Sequence, residues 1–155
     1  MANTSDILIS LTHEAIDGES LLDSVASDLA GANVLFTGTA RKLTGGLETM
    51  FLEYDAHPEM AEQKLAEVAG TAREKWNLCG VAITHRLGRV EIGEVSIAVA
   101  ISSPHRLAAI EAIEWIMDTV KRSVPIWKKE HWADGSTEWI HHGQKPCAVE
   151  EWNHE

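Results

Sequence analysis

Residues 103–123, SPHRLAAIEAIEWIMDTVKRS, commit between about five and six turns of chain to one helix and so set the scale of the fold. Leu107, Ile110, Ile113, Met117 and Val120 recur at three- and four-residue intervals, an apolar stripe that needs a partner surface. Ser103 is placed to cap this helix, Pro104 to occupy its first turn, and Pro125 to bar its continuation. A second helix is expected from Pro58 to Trp76, where Met60, Leu65, Val68, Ala72 and Trp76 return at helical spacing. A third, shorter one spans 19–31, with Leu21, Leu22, Val25 and Leu29 on one side and Gly31 as its stop.

Between these helices the period shortens. ILISLTH (7–13), ANVLFTGTAR (32–41), LETMFLEYD (47–55), GVAITHRLG (80–88) and EVSIAVAISS (94–103) read as strands. RVEI (89–92) is a possible short strand of its own, and KLTGG (42–46) reads as a mobile loop. The order β-α-β-β-α-β-β-α plus a tail predicts an α+β domain, with helices covering a mixed or mainly antiparallel sheet. A length of 155 residues suits one domain. Its expected extent is 1–143, followed by a polar, disordered tail over 144–155.

With 24 acidic against 13 basic residues, the chain carries a formal charge of −11, which disfavours binding along a nucleic-acid backbone. No apolar run approaches the roughly 20 residues that span a bilayer. MANTSDILIS lacks a basic stretch leading into an apolar core, so no secretory leader is expected. Cys79 and Cys147 make neither a disulfide framework nor a zinc spacing, and a cytoplasmic setting is the default. A small anion remains an admissible ligand, because it needs only a few cations gathered locally.

Three segments gather them. In FTGTAR, Phe36 to Arg41, Gly38 permits close backbone approach, Thr39 offers a hydroxyl, and Arg41 can grip a phosphate in two places. The competing reading is a solvated arginine at a strand end. In SSPHR, His105 and Arg106 fall in the first turn of the long helix. An arginine there opposes the helix dipole, a conflict that a bound anion would relieve. A capped, exposed helix start is the alternative. In VKRSVPIWKKEHW (120–132), Lys121 sits near the helix end, Pro125 redirects the chain, and Trp127 anchors Lys128, Lys129 and Glu130. Lysines so held can transfer protons or stabilise developing negative charge; otherwise they are a solvated run. Arg106 and Lys121 lie 15 positions apart, about 22 Å along a straight helix. One small molecule can meet both only if the chain folds back or a second copy supplies one of them. Glu53, Tyr54, Asp55 and His57 lack a distinctive metal-ligand pattern, and no metal site is expected.

In their order and spacing, FTGTAR, LEYDAHPEMAEQKL, ITHRLGRVEIGE, SSPHR and IMDTVKRSVPIWKKE resemble the large, catalytic subunit family of molybdopterin synthase, from about Gly31 to Trp139. The resemblance implies an α/β hammerhead-type fold, with a homodimer at the centre of a heterotetramer. It implies a small ubiquitin-like sulfur-carrier subunit bearing a C-terminal glycine thiocarboxylate as partner. The substrate implied is cyclic pyranopterin monophosphate, converted to molybdopterin by two sulfur transfers during molybdenum cofactor biosynthesis, with no resident cofactor. Carried over residue by residue, Lys121 and Lys128 match the principal active-site lysines. Arg41, His105 and Arg106 match the surroundings of the phosphate and pterin, with Thr39 and Ala40 lining the adjacent turn. Lys129 and Glu130 extend the substrate-facing segment, and Phe36 shapes the pocket for the carrier's tail. The sequence departs from the family pattern after TEWI: where an arginine can serve the substrate, it has HHGQ. His141 or His142 offers no guanidinium fork. Two other classes stay open at this point, an adaptor that grips a small ubiquitin-like protein without catalysis and an unrelated phosphate-ester enzyme.

Overall fold

The computed structural model describes residues 6–140. His141, His142 and the segment 144–155 lie outside the described residues. The elements are β1 (Ile7–Thr12), α1 (Gly18–Ser24), β2 (Ala32–Thr39), β3 (Leu43–Thr44), β4 (Leu47–Ala56) and α2 (Pro58–Lys75). They continue with β5 (Gly80–Arg86), β6 (Gly88–Glu91), β7 (Val95–Ser103), α3 (Arg106–Ser123), β8 (Ile126–Trp132) and β9 (Thr137–Ile140).

The α+β architecture is as expected, with the strands divided between two sheets. The first has the order β1-β5-β7-β2, in which β1 runs parallel to β5 and the other pairs are antiparallel. The second joins β3, β4, β8 and β9, with β6 also paired to β4, and its pairs are all antiparallel. Helices α2 and α3 cover one face of the first sheet. The core between them holds Leu65, Val68, Val81, Ile83, Val99, Ile101, Ile116 and Val120. Helix α1 covers the other face, where Val25 packs on Ala82 and Ala100.

Four local expectations are corrected. Helix α1 stops at Ser24, whose hydroxyl donates to the Leu21 carbonyl, and a turn follows in which Ser27 Oγ accepts from Leu29 N–H. Leu29 is consequently exposed. Helix α3 starts at Arg106, because Ser103 is still in β7, opposite Ala32, and its hydroxyl donates to the His105 carbonyl instead of capping. KLTGG is a tight hairpin: Gly45 and Gly46 take φ of 57° and 85°, the positive values that a two-residue turn between twisted strands requires. The segment after Pro125, read above as redirected chain, is a strand hairpin, β8–β9.

The expected stripes hold in part: Leu65, Val68 and Ala72 on α2 and Val120 on α3 are buried, and Trp76, Ile113 and Met117 pack against the core, but the centre of each contact is shifted toward alanines. Ala109, Ala112, Ile116 and Val120 face the core from α3, while Leu107 and Ile110 are 65% and 55% exposed. On α2 the buried set is Ala61, Leu65, Val68, Ala69 and Ala72, and Met60 is exposed. Alanines let both helices lie close to the sheet, so the larger side chains flank the contact. Trp76 and Trp115 pair across the two helices with ring centroids 5.7 Å apart, and Trp76 Nε1 donates to Glu111 at 3.1 Å.

Candidate active site

The site grows from the corner between α3 and β8. Lys121 lies in the last turn of α3, where the helix dipole favours a cation. Val124 leaves the helix in an extended conformation, and the Pro125 carbonyl accepts from His57 N–H. Strand β8 then pairs along β4, with Tyr54 opposite Lys128 and Leu52 opposite Glu130. Because side chains alternate along a strand, Lys128 and Glu130 share a face with Tyr54. Lys129 takes the other face, opposite Glu53 and Trp139, with its amine 5.5 Å from the Trp139 ring centroid. The run Lys128-Lys129-Glu130 is thereby divided, and Lys129 is not brought to the Lys128 side.

Glu130 is 1% exposed. Burial raises its carboxyl above the usual range, and Lys128, the neighbouring Thr49 and then Arg41 act in the opposite direction, while Glu138 adds to the rise. Burial lowers the Lys128 ammonium; Glu130 counters this, and Arg41 and Lys121 add to the lowering by repulsion. Lys121, Lys128, Arg41 and Glu130 therefore share one electrostatic neighbourhood within a single chain. Three cations gather around Glu130, with Glu138 opposite it on β9, and still leave a local positive excess in a strongly acidic protein, suited to a small anion.

Arg41 reaches this neighbourhood through an irregularity in β2. The register of β2 against β7 shifts between Gly38 and Thr39. A Cβ on Gly38 would stand 2.9 Å from Ile97 Cγ2, so glycine is required for the approach. Ala40 is buried against Leu52 and Val90. Its N–H donates to Glu94 and its carbonyl accepts from Gly93, so its backbone is engaged in holding the turn. Thr39 is exposed, and Phe36 is half-buried at the edge of the main core.

His105 and Arg106 lie at the opposite end of α3. They line an open cleft of about 490 Å³ with Gly31, Ala32, Pro104, Leu107 and Ile110. His105 is the N-cap residue without a capping side-chain bond, and the first turn carries no acidic residue. The leading N–H groups are thus free of side-chain competition beside the cleft. The length of α3 keeps this pair about 22 Å from Lys121 within one chain.

The remaining candidates have other partners. Glu53 pairs with His131 at 2.6 Å, Asp55 accepts from Ala56 N–H, and His57 accepts from Met60 N–H at the start of α2. Among the described residues no cluster of three metal-ligating side chains occurs. His85, 3% exposed, is pushed down to about 4 by burial, and its Nδ1 donates to the Arg86 carbonyl. Two residues of the site were not anticipated, Thr49 beside Glu130 and Tyr54 beside Lys128. Alternation along 47–55 places Tyr54 on the face of Leu52, but its pairing with Lys128 follows only once 126–132 is known to be a strand.

The profile of the MoaE protein family matches residues 11–123. The molybdopterin synthase catalytic subunit of Halalkalibacterium halodurans is 46% identical over 122 residues, 79% of this chain and 78% of its own length. The crystal structure of molybdopterin synthase from Staphylococcus aureus aligns with a TM-score of 0.78 at 39% identity, over 88% of this chain and 96% of that one. A complex of subunits 1 and 2 of the molybdopterin-converting factor from Helicobacter pylori contains a chain sharing the fold, with a TM-score of 0.67 at 22% identity over 90% and 91%. The chain belongs to the MoaE family, whose matched relatives are catalytic subunits of molybdopterin synthase.

Proposed function

We propose that this chain catalyses sulfur transfer from a small ubiquitin-like carrier, ending in a glycine thiocarboxylate, to cyclic pyranopterin monophosphate. Two transfers give the dithiolene of molybdopterin, for molybdenum cofactor biosynthesis in the cytoplasm. The observation that carries the reading is the positive centre of Lys121, Lys128 and Arg41 around the buried Glu130, in a chain of charge −11. Attack by a thiocarboxylate on the pterin side chain redistributes negative charge. Lys128 orients the sulfur nucleophile or stabilises that charge, and Lys121 assists proton transfer. Glu130 keeps Lys128 charged despite its burial. Lys129 extends the segment from the other face of β8.

Arg41, His105 and Arg106 bind the phosphate and pterin, Thr39 and Ala40 form the adjoining turn, and Phe36 borders the carrier's tail. Since α3 separates His105 and Arg106 from Lys121, the reading assigns each site to two copies of the chain, within a homodimer that a carrier flanks on each side. The exposed Leu107 and Ile110 beside the Arg106 cleft support it, as an apolar rim that suits a second copy. The two-subunit complex of the fold relative supports a small-protein partner.

Mixing Arg106→Ala and Lys128→Ala, assayed at precursor concentrations far below KM where each alone is strongly impaired, tests the shared site. Exchange of subunits should restore about a quarter of parental activity if each copy lends Arg106 to the other's lysines: half of the assemblies are then mixed, each with one intact site. Complementation that never exceeds the sum of the separate variants would refute this arrangement.

A further inference from the structure

Residues 91–94, Glu91-Ile92-Gly93-Glu94, turn the chain from β6 into β7 and grip the residue before Arg41. Glu94 N–H closes the turn on the Glu91 carbonyl at 2.9 Å, and Gly93 takes a φ of 86°, where glycine is favoured. Gly93 N–H donates to the Ala40 carbonyl at 2.9 Å, and the Glu94 carbonyl accepts Ala40 N–H at 3.1 Å. Both backbone groups of Ala40 are thus held by two adjacent residues, and its side chain is buried against Leu52 and Val90. The Glu94 carboxylate braces the turn on both sides. Oε1 accepts Glu91 N–H at 2.9 Å, and Oε2 accepts from Arg86 Nη1 at 3.1 Å. Arg86 ends β5, with its side chain only 15% exposed.

This brace sits at the joint between the two sheets. Arg86 belongs to the first sheet, whereas β6, which leads into the turn, pairs with β4 of the second, with Val90 opposite Leu52 and Glu91 opposite Phe51. Along the other edge of β4, Leu52 lies opposite Glu130 and Tyr54 opposite Lys128. One carboxylate therefore connects β5, the β6–β7 turn and, through the Ala40 backbone, the point where Arg41 leaves β2. The Arg41 side chain has partners of its own; the clasp acts on the backbone that carries it. We propose that Arg86 and Glu94 are positioning residues, which by clasping Ala40 set the place of Arg41 relative to Lys128. They act through Ala40 and not on the substrate. Their effect is on the spacing between a group that binds the precursor and the group that serves the reacting sulfur, where small displacements are costly in rate.

The proposal rests on the sulfur-transfer reading, and parental turnover serves as the control that separates the two. The variants are Arg86→Met, Arg86→Lys and Glu94→Gln, assayed for conversion of cyclic pyranopterin monophosphate with thiocarboxylated carrier. Rates are compared at a temperature where circular dichroism shows each variant folded. Glu94 is partly exposed, so Glu94→Gln should fold even if Arg86→Met does not. Arg86→Met and Glu94→Gln should each lower kcat/KM for the precursor about fivefold to tenfold, the scale of one hydrogen bond, and leave the KM for carrier within about twofold. Arg86→Lys, which keeps a cation beside Glu94, should recover part of the loss. The double variant Arg86→Met with Glu94→Gln should be no worse than the poorer single one, since both open the same clasp. Val25→Ala, in the cluster on the far face of the first sheet, should lower Tm without changing kcat/KM. An unchanged kcat/KM in Glu94→Gln, or losses that multiply in the double variant, would overturn the proposal. So would a loss in Val25→Ala matching that of Glu94→Gln, or a carrier KM that rises as much as that of the precursor. Absence of turnover by the parent would instead refute the sulfur-transfer reading.

Discussion

Replacing Lys128 by methionine should make the site destabilising in a pH-dependent way. Lys128 and Glu130 are two residues apart on one strand face, a separation of about 6.6 Å. At an effective dielectric constant of about 20 their attraction is about 2.5 kcal/mol, and water reaching the partly exposed Lys128 trims it to about 2 kcal/mol. Methionine preserves the apolar stem and needs no hydration, so the main consequence is a buried Glu130 without its counterion. For a chain of this size, about 2 kcal/mol corresponds to a Tm loss of about 4–8 °C. The sign with pH follows from Glu130, whose folded pKa is raised by burial. The folded state holds that proton more tightly than the unfolded state, so protonation relieves the penalty. The Tm difference between parent and Lys128→Met should be full at neutral pH and shrink as pH falls through the raised Glu130 pKa. Lys128→Met with Glu130→Gln should recover most of the loss. Thermal unfolding followed by circular dichroism across acidic and neutral pH measures all three. A penalty that is constant with pH, or a double variant as unstable as Lys128→Met, would refute the coupling.

Other outcomes follow from the same structure. His85, held neutral down to about pH 4, should make stability fall as pH drops from about 6.5, because the unfolded chain takes up a proton that the folded chain refuses. Titration of its ring by NMR should show no charging near pH 6.5, and an ordinary midpoint there would contradict the burial argument. Gly38→Ala should cost about 1–3 kcal/mol through the contact with Ile97 and lower turnover by moving Arg41; wild-type Tm and rate would contradict the close approach. Arg106→Ala should raise the KM for the pterin precursor at least about tenfold while carrier affinity is unchanged, since a charge-assisted phosphate contact is lost. Equal KM values would remove Arg106 from the phosphate site.

Much of this was legible in the sequence, and the failures have physical causes. Pro58 marked the start of α2, Pro125 the end of α3, and the alternation in 94–103 the buried strand β7. The stripe on α3 held for Val120, Ile113 and Met117 but failed at Leu107 and Ile110, because the contact near the helix start is made by Ala109 and Ala112, whose small size permits closeness but gives little hydropathy signal. Strand β8 was missed because IWKKEHW mixes charges on both faces, one turned to the buried site and the other to Trp139 and Glu53. That omission also hid Tyr54 and left Lys129 grouped with Lys128, from which the strand divides it. The chemistry of Lys121, Lys128, Arg41 and Glu130 could be suspected from residue type, whereas their convergence depends on the Gly38 irregularity and the corner at Pro125.

The central claim is that this chain moves sulfur, with Lys121 and Lys128 carrying the step. The direct measurement is conversion of cyclic pyranopterin monophosphate by the parent and by Lys121→Ala and Lys128→Ala, each with preloaded thiocarboxylated carrier, followed by mass spectrometry of the pterin. The parent should yield a product bearing two added sulfurs, and each alanine variant should be slower by about 10²-fold or more. Binding of carrier and precursor without sulfur transfer, as an adaptor would give, or unchanged rates for both additions in both variants, would contradict the claim.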